Sequence, residues 1–212
     1  MRESHPPLTF FTDAADGRFP PVDGRVTVLP PLPRGLECSV AFTGHAVVAT
    51  AMTNQAVLAQ GPDGFSKSLS ADFLRHLAGP KGWIGITDAT LTARGTGGLQ
   101  RLPELPDADD HPRVRHARGL RTNVQVYGAG RGLITLADGL AGRQELSIEL
   151  HNTHDNSRGR GRSLITDALS LVPEGEPVFA AVSPGNARSL RAFLACGFTP
   201  IGSEVLLRPK RE

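Results

Sequence analysis

Residues 186–198 read NARSLRAFLACGF and contain the start, the body and the end of one helix. Asn186 stands at the start, and asparagine is among the side chains that cap helix N-termini best. Gly197 suits the left-handed turn that ends many helices, and Phe198 is placed to pack under that turn. We therefore predict a helix over residues 187–195.

Hydrophobic periodicity upstream of this helix predicts alternating strands and helices. The predicted elements are a helix at 114–120, strands at 123–127, 133–137 and 144–150, a helix at 161–172, a strand at 178–182 and, after the helix at 187–195, a strand at 204–207. The stretch at 178–182 is apolar throughout, which is typical of a strand covered on both faces. Three strands followed by helix, strand and helix predict antiparallel strands that lead into a βαβ crossover. The predicted fold class is therefore α/β, with a mixed sheet of the α+β kind.

A glycine- and arginine-rich segment, NSRGRGRS at 156–163, lies between the predicted strand at 144–150 and the amphipathic helix at 161–172. Its glycines let backbone N–H groups converge on one point, and a helix N-terminus adds a positive dipole. The arginines add planar, always charged donors, which suit a pyrophosphate or another phosphorylated group. A solvated basic loop, or an Arg-Gly contact to nucleic acid, would have the same sequence.

The first half of the chain is less regular. Residues 1–35 are rich in proline and glycine and predict an extended arm. Residues 36–104 predict an α/β region of unknown role. The expected elements of both regions are strands at 25–29, 46–52, 56–59 and 83–93 and a helix capped by Ser70. Glycine, proline and aspartate accumulate between 94 and 110, so we place a domain boundary near residue 104, with 105–212 as the C-terminal domain.

Composition narrows the class of protein. The chain has 212 residues, of which 39% are hydrophobic, so it can bury a core. No apolar run approaches the ~20 residues of a membrane span, and the N-terminal residues lack a signal-peptide pattern. Cys38 and Cys196 are too few for a disulfide framework and predict buried thiols in the reducing cytoplasm. A net charge of +2 with sparse aromatic residues argues against nucleic acid as a partner.

Acidic residues next to a histidine raise the question of a metal site. Asp107, Asp109, Asp110 and His111 are close together in sequence, but they lack the spacing of a known metal-ligand motif. We therefore expect no metal.

The glycine segment resembles a motif of the GCN5-related N-acetyltransferase (GNAT) superfamily, which carries Q/R-x-x-G-x-G/A at such a strand-to-helix junction. One register places the motif on Arg158, Gly161 and Ser163. The other places it on Asn156, Gly159 and Gly161. We favour the second register because it matches both glycines, although asparagine then stands where the family prefers glutamine or arginine.

The final helix resembles a second pattern of the same family, and the two resemblances together cover about residues 112–207. The family shows an asparagine, a small residue three positions later, an aromatic residue near the helix end, and then Gly-Phe. The matching residues are Asn186, Ser189, Phe193, Gly197 and Phe198. The Asn186 side chain can either cap the helix or bridge to the amides of pantetheine.

The resemblance implies that acetyl-CoA is the co-substrate. In the family, amides of the glycine loop hold the pyrophosphate, and backbone N–H groups of the preceding strand polarise the thioester carbonyl. The implied CoA-binding residues are Leu150, His151, Arg158, Gly159, Arg160, Gly161, Arg162, Ser163, Asn186, Ser189 and Phe193. The family often keeps a tyrosine on the last helix to protonate the departing thiolate. Phe193 occupies that position here and cannot donate a proton.

Candidates for the catalytic base follow from residue type and position. Glu149 is the first choice, because it lies near the end of the strand at 144–150, on one face with Glu145 and Ser147. His151 and His154 are alternative bases, since histidine titrates near neutrality. Two further histidines, His111 and His116, are candidates for lining an acceptor cleft. Tyr127 is the one tyrosine of the chain and the only candidate for a phenolic acid.

The sequence leaves two main hypotheses. The first is an acyl-CoA-dependent N-acetyltransferase that moves an acetyl group to an amine of a small molecule or a peptide. The second is a non-catalytic acyl-CoA-binding domain with a regulatory or structural role, which Phe193 favours. A nucleic-acid-binding module is a weaker third reading. The acceptor and the oligomeric state, including a homo-oligomer, stay open.

Overall fold

The computed structural model describes residues 5–151 and 159–212. Within these residues it contains six α-helices and ten β-strands. The helices are α1 (Leu8–Ala15), α2 (Asn54–Leu58), α3 (Ala71–Ala78), α4 (Pro112–Leu120), α5 (Arg160–Leu169) and α6 (Ala187–Ala195). The strands are β1 (Val26–Leu29), β2 (Glu37–Phe42), β3 (His45–Ala49), β4 (Trp83–Ile84), β5 (Asp88–Arg94), β6 (Thr122–Ala129), β7 (Gly132–Asp138), β8 (Gln144–Leu150), β9 (Pro177–Val182) and β10 (Thr199–Arg208).

The described residues form two compact units. The first unit is Leu91–Thr199, and the second combines residues 5–90 with Pro200–Glu212. In the first unit the strand order is β5–β9–β8–β7–β6. The β6–β7 and β7–β8 pairs are antiparallel and the β8–β9 pair is parallel. The predicted mixed α/β fold is therefore confirmed, while the domain boundary near residue 104 stays a prediction.

Helices of the first unit lie on both faces of its sheet. Arg113 on α4 reaches Glu149 on β8, whereas Gly161 on α5 lies beside the neighbouring residue Leu150. Successive residues of a strand point to opposite faces. The two helices therefore cover opposite sides of β8, and both faces of the strand are supported by packing.

The ladder between the parallel strands β8 and β9 is restricted to one end of β8. Among the described residues, the ladder between them is the single pair of Glu145 with Phe179, near the start of β8. Residues 146–150 continue without a ladder partner on β9. The hydrogen-bonded ladder between the two strands therefore ends after Glu145, which leaves a gap in the ladder next to the C-terminal half of β8.

Both predicted helices beside this gap form, and α6 has the predicted bounds whereas α5 ends at Leu169, three residues earlier than predicted. The Asn186 side chain accepts a hydrogen bond from the Ser189 N–H at 3.1 Å and caps α6. Gly197 adopts a left-handed φ of +86° after the helix, and Phe198 packs edge-on against Phe193 with centroids 4.9 Å apart. The predicted helix at 187–195 is confirmed. The predicted helix at 161–172 forms as α5, which buries one apolar face.

The second unit contains a smaller mixed sheet in the order β1–β3–β2–β10, with β4 paired to β10. Strands β1 and β3 are parallel, and the β2–β3 and β2–β10 pairs are antiparallel. Its core includes Val48, Val57, Phe73, Leu77 and Val205, each at most 4% exposed. The chain's last strand therefore completes a unit that its first ninety residues begin.

Several predicted elements of the first half are wrong. The predicted extended arm contains α1, because Phe11 and Ala14 bury one helical face and Pro7 is tolerated at a helix start. The predicted strand at 56–59 lies in the helix α2, where the Thr53 hydroxyl caps the Ala56 N–H at 3.2 Å. The predicted strand at 83–93 is two strands, β4 and β5, separated by a short irregular stretch.

Candidate functional site

The start of α5 presents backbone N–H groups that the helix itself does not use. Gly159 precedes the helix with a left-handed φ of +91°, and the first helical hydrogen bond runs from the Ser163 N–H to the Gly159 carbonyl at 2.8 Å. The N–H groups of the first helical turn have no acceptor within the helix, and such groups form anion sites. Arg160, Arg162 and Ser163 are exposed at this turn. The arrangement is suited to binding a phosphate group.

Gly161 marks the point where three elements converge. A Cβ atom built on Gly161 would lie 3.8 Å from Leu150 on β8 and 3.8 Å from Ala192 on α6. Cys196, which follows α6 and is partly rather than fully buried, places its Sγ 3.5 Å from the Arg162 carbonyl. The exposed turn of α5 is therefore fixed beside the end of β8 and beside α6. The predicted residues Asn156 and Arg158 lie outside the described part of the chain, so the choice between the two motif registers stays open.

Arg131 is a basic residue of this turn that the sequence did not single out. Its guanidinium donates to the Ser163 hydroxyl and to the Asp167 carboxylate on α5. Arg101 adds a second guanidinium 3.9 Å from Asp167. Arg131 is 32 residues from Ser163 in sequence, and no local pattern links the two. Of the two arginines, Arg131 reaches the first turn of α5 through Ser163, and its charge is partly offset by Asp167.

Two predicted CoA-binding residues of α6 have structural contacts. The Asn186 side chain caps the helix, which is one of the two roles that the sequence allowed. Phe193 is 3% exposed and packs on Phe198. Its ring is a core contact in this unit and has no hydroxyl to offer. Whether Asn186, Ser189 and Phe193 also contact CoA stays a prediction.

Glu149 lies at the centre of a cluster of polar side chains on the α4 side of β8. Its carboxylate accepts a hydrogen bond from Arg113 Nε at 3.1 Å, and its other oxygen lies 3.9 Å from His111 Nε2. The Glu149 side chain is 40% exposed, so water and an acceptor amine can reach it. The structure thus brings together the preferred base and one of the two histidines that were candidates for an acceptor cleft.

The hydrogen bonds of His111 define its tautomer. His111 Nδ1 accepts from the Arg113 N–H at 3.2 Å and caps α4. A neutral ring that accepts at Nδ1 carries its proton at Nε2. Nε2 lies 3.9 Å from the Glu149 carboxylate, which is beyond direct hydrogen-bond distance, so His111 is a near neighbour of the candidate base and not its hydrogen-bond partner.

A buried ion cluster anchors α4 beneath this site. Glu145 is 4% exposed and Arg143 is 1% exposed. Glu145 pairs with Arg143 at 3.2 Å and with Arg121, which immediately follows α4. Burial opposes ionisation of Glu145, but Arg121 and Arg143 hold its pKa below the usual value. Arg143 also lies over the Phe179 ring at 5.5 Å. The cluster therefore ties the end of α4 to β8 and β9.

The structure does not bring Tyr127 to Glu149. Tyr127 on β6 is opposite Ile134, and Ile134 is opposite Ile148 on β8. Because side chains alternate along β8, Tyr127 shares the sheet face of Ile148, and Glu149 is on the other. Tyr127 is 6% exposed, and burial together with the Glu104 carboxylate raises its pKa.

The remaining histidine candidates are dispersed. His151 is exposed after β8, and its N–H donates to the Arg131 carbonyl at 3.3 Å. His116 is exposed on α4, and partial desolvation with the charges of Arg121 and Arg113 lowers its pKa. His154 lies outside the described residues. Of the three histidine candidates that the structure describes, His111 is the one that lies near Glu149.

The first unit has a mixed α/β sheet, a gap in the β8–β9 ladder, and the start of α5 next to the end of β8. The chain is similar to solved structures described as GNAT acetyltransferases. A structure described as an acetyltransferase of the GNAT family from Novosphingobium aromaticivorans DSM 12444 is 14% identical, with a TM-score of 0.41 over 62% of this chain and 69% of that one. A GCN5-related N-acetyltransferase from Kribbella flavida is 11% identical, with a TM-score of 0.37 over 59% of each chain. No protein-family profile and no curated protein matches the sequence.

No group of three or more His, Cys, Asp or Glu side chains in residues 5–151 and 159–212 is arranged to hold a metal ion. Of the helices in the same residues, none is both long and apolar enough to cross a membrane.

Proposed function

We propose that this protein is an acyl-CoA-dependent N-acetyltransferase that acetylates an amine. The observation that carries the proposal is the end of the β8–β9 ladder at Glu145, together with the glycine-led start of α5 at Gly159–Ser163, which lies next to the end of β8. A gap between parallel strands exposes backbone hydrogen-bonding groups, and a helix start next to it supplies an anion site. An extended thioester with a diphosphate at one end is suited to such a site, because the diphosphate can bind the helix start and the amides of the chain can pair with the strand.

The proposed CoA site uses residues of α5, α6 and β8. The first-turn amides of α5 would hold the pyrophosphate, and Arg160 and Arg162 would add charge. Gly161 fits this role, since the missing side chain leaves the backbone open to close approach. Backbone N–H groups near Leu150 would polarise the acyl carbonyl.

Glu149 is proposed as the base that takes a proton from the acceptor ammonium. Its carboxylate is reachable from solvent, and His111 Nε2 lies 3.9 Å away and could complete a proton path. The acid for the departing thiolate would be water, because Phe193 carries no hydroxyl and Tyr127 lies on the opposite sheet face. The acceptor is an amine of a small molecule or peptide.

A non-catalytic acyl-CoA-binding domain is the second candidate. Two observations favour it. Phe193 is buried and lacks a hydroxyl, and the Arg113 guanidinium donates a hydrogen bond to the carboxylate of Glu149. Such a domain would use the same α5 start and the same gap, so binding alone does not separate the two functions.

The test is a calorimetric titration with acetyl-CoA followed by an amine panel with free-thiol detection. We expect binding, CoA-dependent thiol release with at least one amine, and a fall in kcat of about 10²–10⁴-fold in Glu149→Gln with unchanged acetyl-CoA affinity. Glu174→Gln, at an exposed residue before β9, is the matched control. Absence of binding at millimolar acetyl-CoA would exclude both candidates. Binding without turnover across polyamines, aminoglycosides, amino acids and peptides would favour the second.

A further inference from the structure

The second unit contains a constellation that plays no part in the proposed acetyl transfer. His45 on β3 makes two side-chain hydrogen bonds, one through each ring nitrogen. Its Nδ1 lies 2.8 Å from Asp23 Oδ1, and its Nε2 lies 2.9 Å from the Thr27 hydroxyl on β1. A hydroxyl, an imidazole and a carboxylate in this order are the arrangement that activates a nucleophile in acyl-transfer enzymes.

The hydrogen bonds fix the direction of proton movement. The Asp23 carboxylate also accepts the Arg25 N–H at 2.9 Å, and this bond together with His45 lowers the pKa of Asp23. An ionised carboxylate only accepts, so His45 donates through Nδ1. In the neutral ring Nε2 is then the acceptor, and the Thr27 hydroxyl donates to it. Thr27 is therefore placed to lose its proton to His45.

Packing holds the imidazole in this orientation. His45 is 6% exposed, and the Phe10 ring stacks on it at an interplanar angle of 12° with centroids 6.4 Å apart. Thr27 is opposite Val47 in the parallel β1–β3 ladder, so it lies two residues along from His45 on the same sheet. Thr27 is only partly buried, and Asp23 keeps 28% of its side chain exposed. Solvent can therefore reach Thr27 and Asp23, although the imidazole between them is buried.

Apolar surface lies directly beside the array. Val22 and Phe65 are 68% and 66% exposed, which is unusual for such side chains. A Cβ on Gly24 would lie 3.2 Å from the Phe65 ring, and one on Gly44 would lie 2.4 Å from Val22. These glycines are the chain neighbours of Asp23 and His45. An apolar group bound on Val22 or Phe65 would thus be close to the Asp–His–Thr array.

We propose that Asp23, His45 and Thr27 form a second catalytic site, which hydrolyses esters of apolar acyl groups through Thr27. Thr27 Oγ1 attacks the ester carbonyl carbon as its proton passes to His45 Nε2. The bond from that carbon to the alcohol oxygen then breaks, and the leaving alcohol takes the proton from His45. Water then attacks the acyl carbon as its proton passes to His45 Nε2. The bond from that carbon to Thr27 Oγ1 breaks, and Thr27 takes the proton back from His45. The net reaction converts ester and water to acid and alcohol.

The site is independent of the proposed acetyltransferase function, since none of its residues belongs to the first unit. It also needs no CoA. A failure of acetyl-CoA binding would leave it unaffected, and a failure of ester hydrolysis would leave the acetyltransferase proposal unaffected.

The experiment measures hydrolysis of p-nitrophenyl butyrate by the full chain without CoA, and maps labelling by a fluorophosphonate probe by peptide mass spectrometry. We expect the label on Thr27 and turnover that falls to the buffer rate in Thr27→Val. Thr27→Ser keeps the hydroxyl and should retain both label and turnover. Asp23→Asn should lower turnover by about 10²–10⁴-fold, because the imidazole loses its orienting partner.

Thr122→Val, at an exposed strand threonine of β6, is the matched control and should match the wild type. Thermal unfolding of each variant checks that the fold is retained. Equal turnover in the wild type and Thr27→Val would overturn the proposal. So would labelling confined to other residues, or no labelling of either the wild type or Thr27→Ser, and in those cases the array only holds β1 to β3.

Discussion

Glu149, Arg113 and His111 show how single side chains define the candidate site. Arg113 and His111 are two residues apart at the start of α4, and both reach the same carboxylate. The ion pair is partly exposed on both sides, and pairs of this kind contribute only about 0–1 kcal/mol to stability. The Glu149–Arg113–His111 cluster therefore contributes little to the stability of the fold. Its exposure and its proton-bearing neighbour fit a chemical role better.

Replacement of Tyr127 by phenylalanine separates the possible proton donors. Tyr127 shares the sheet face of Ile148 and not that of Glu149, so we expect kcat for amine acetylation in Tyr127→Phe to stay within about twofold of the wild type, well short of the loss from removing a general acid. Initial rates at saturating acetyl-CoA check this. A fall of about 10²-fold with an unchanged unfolding midpoint would instead make Tyr127 the acid.

At the scale of elements, the first unit was largely predictable from sequence. Its helices and strands carry local signals, such as the Asn186 cap and the alternation along β8. Contacts between distant segments were not predictable. The bonds from Arg131 to α5 and from Arg113 to Glu149 depend on how the strands are paired, and a single sequence does not specify that pairing. The early end of the β8–β9 ladder is a tertiary feature for the same reason.

The second unit was harder to predict because its short elements have weak periodic patterns. The helix α2 spans five residues, too few for a 3.6-residue period to be distinguished from a strand. Its capping residue, Thr53, was the available signal. The helix α1 lies among prolines, whose number in residues 1–35 favoured an extended arm. The Asp23–His45–Thr27 array had no motif spacing, because β1 and β3 bring it together.

The start of α5 gives a prediction at this scale. In Gly161→Ala the new Cβ has ordinary contacts with Leu150 and Ala192 at 3.8 Å, and alanine is the better helix former by about 0.5–1 kcal/mol. We therefore expect an unchanged or higher unfolding midpoint. We expect acetyl-CoA affinity to fall about tenfold, or ~1.4 kcal/mol, because the methyl group keeps a diphosphate from the backbone.

Calorimetry and thermal unfolding measure the two effects of Gly161→Ala separately. Gly119→Ala is the matched control, since Gly119 is an exposed helical glycine of α4 with open space at its Cβ position. It should give a similar gain in stability and no change in affinity. An unaltered affinity in Gly161→Ala would mean that CoA does not approach this turn.

At the scale of the whole molecule, the position of β10 at the end of the chain limits which fragments can be made. Strand β10 pairs with β2 through Ser203 with Ala41 and the following residues. A fragment of residues 105–212 would therefore retain β10 without its partner strand, and an unpaired edge strand favours aggregation. Experiments on the candidate site are best made with the full chain, since both units then keep all their strands.

Hydrogen exchange of the full chain with and without CoA tests the site in its whole context. Ligand binding slows exchange where it protects backbone amides or stabilises the elements that carry them. We expect protection of residues 159–163 and of the C-terminal end of β8, because these border the gap beside β9. The exchange of the peptides that carry Asp23, Thr27 and His45 should be unchanged, since they belong to the second unit.

Gly161→Glu places a carboxylate at the proposed diphosphate position and should abolish the protection. Protection centred on residues 22–45 would place the ligand elsewhere and contradict the assignment of α5.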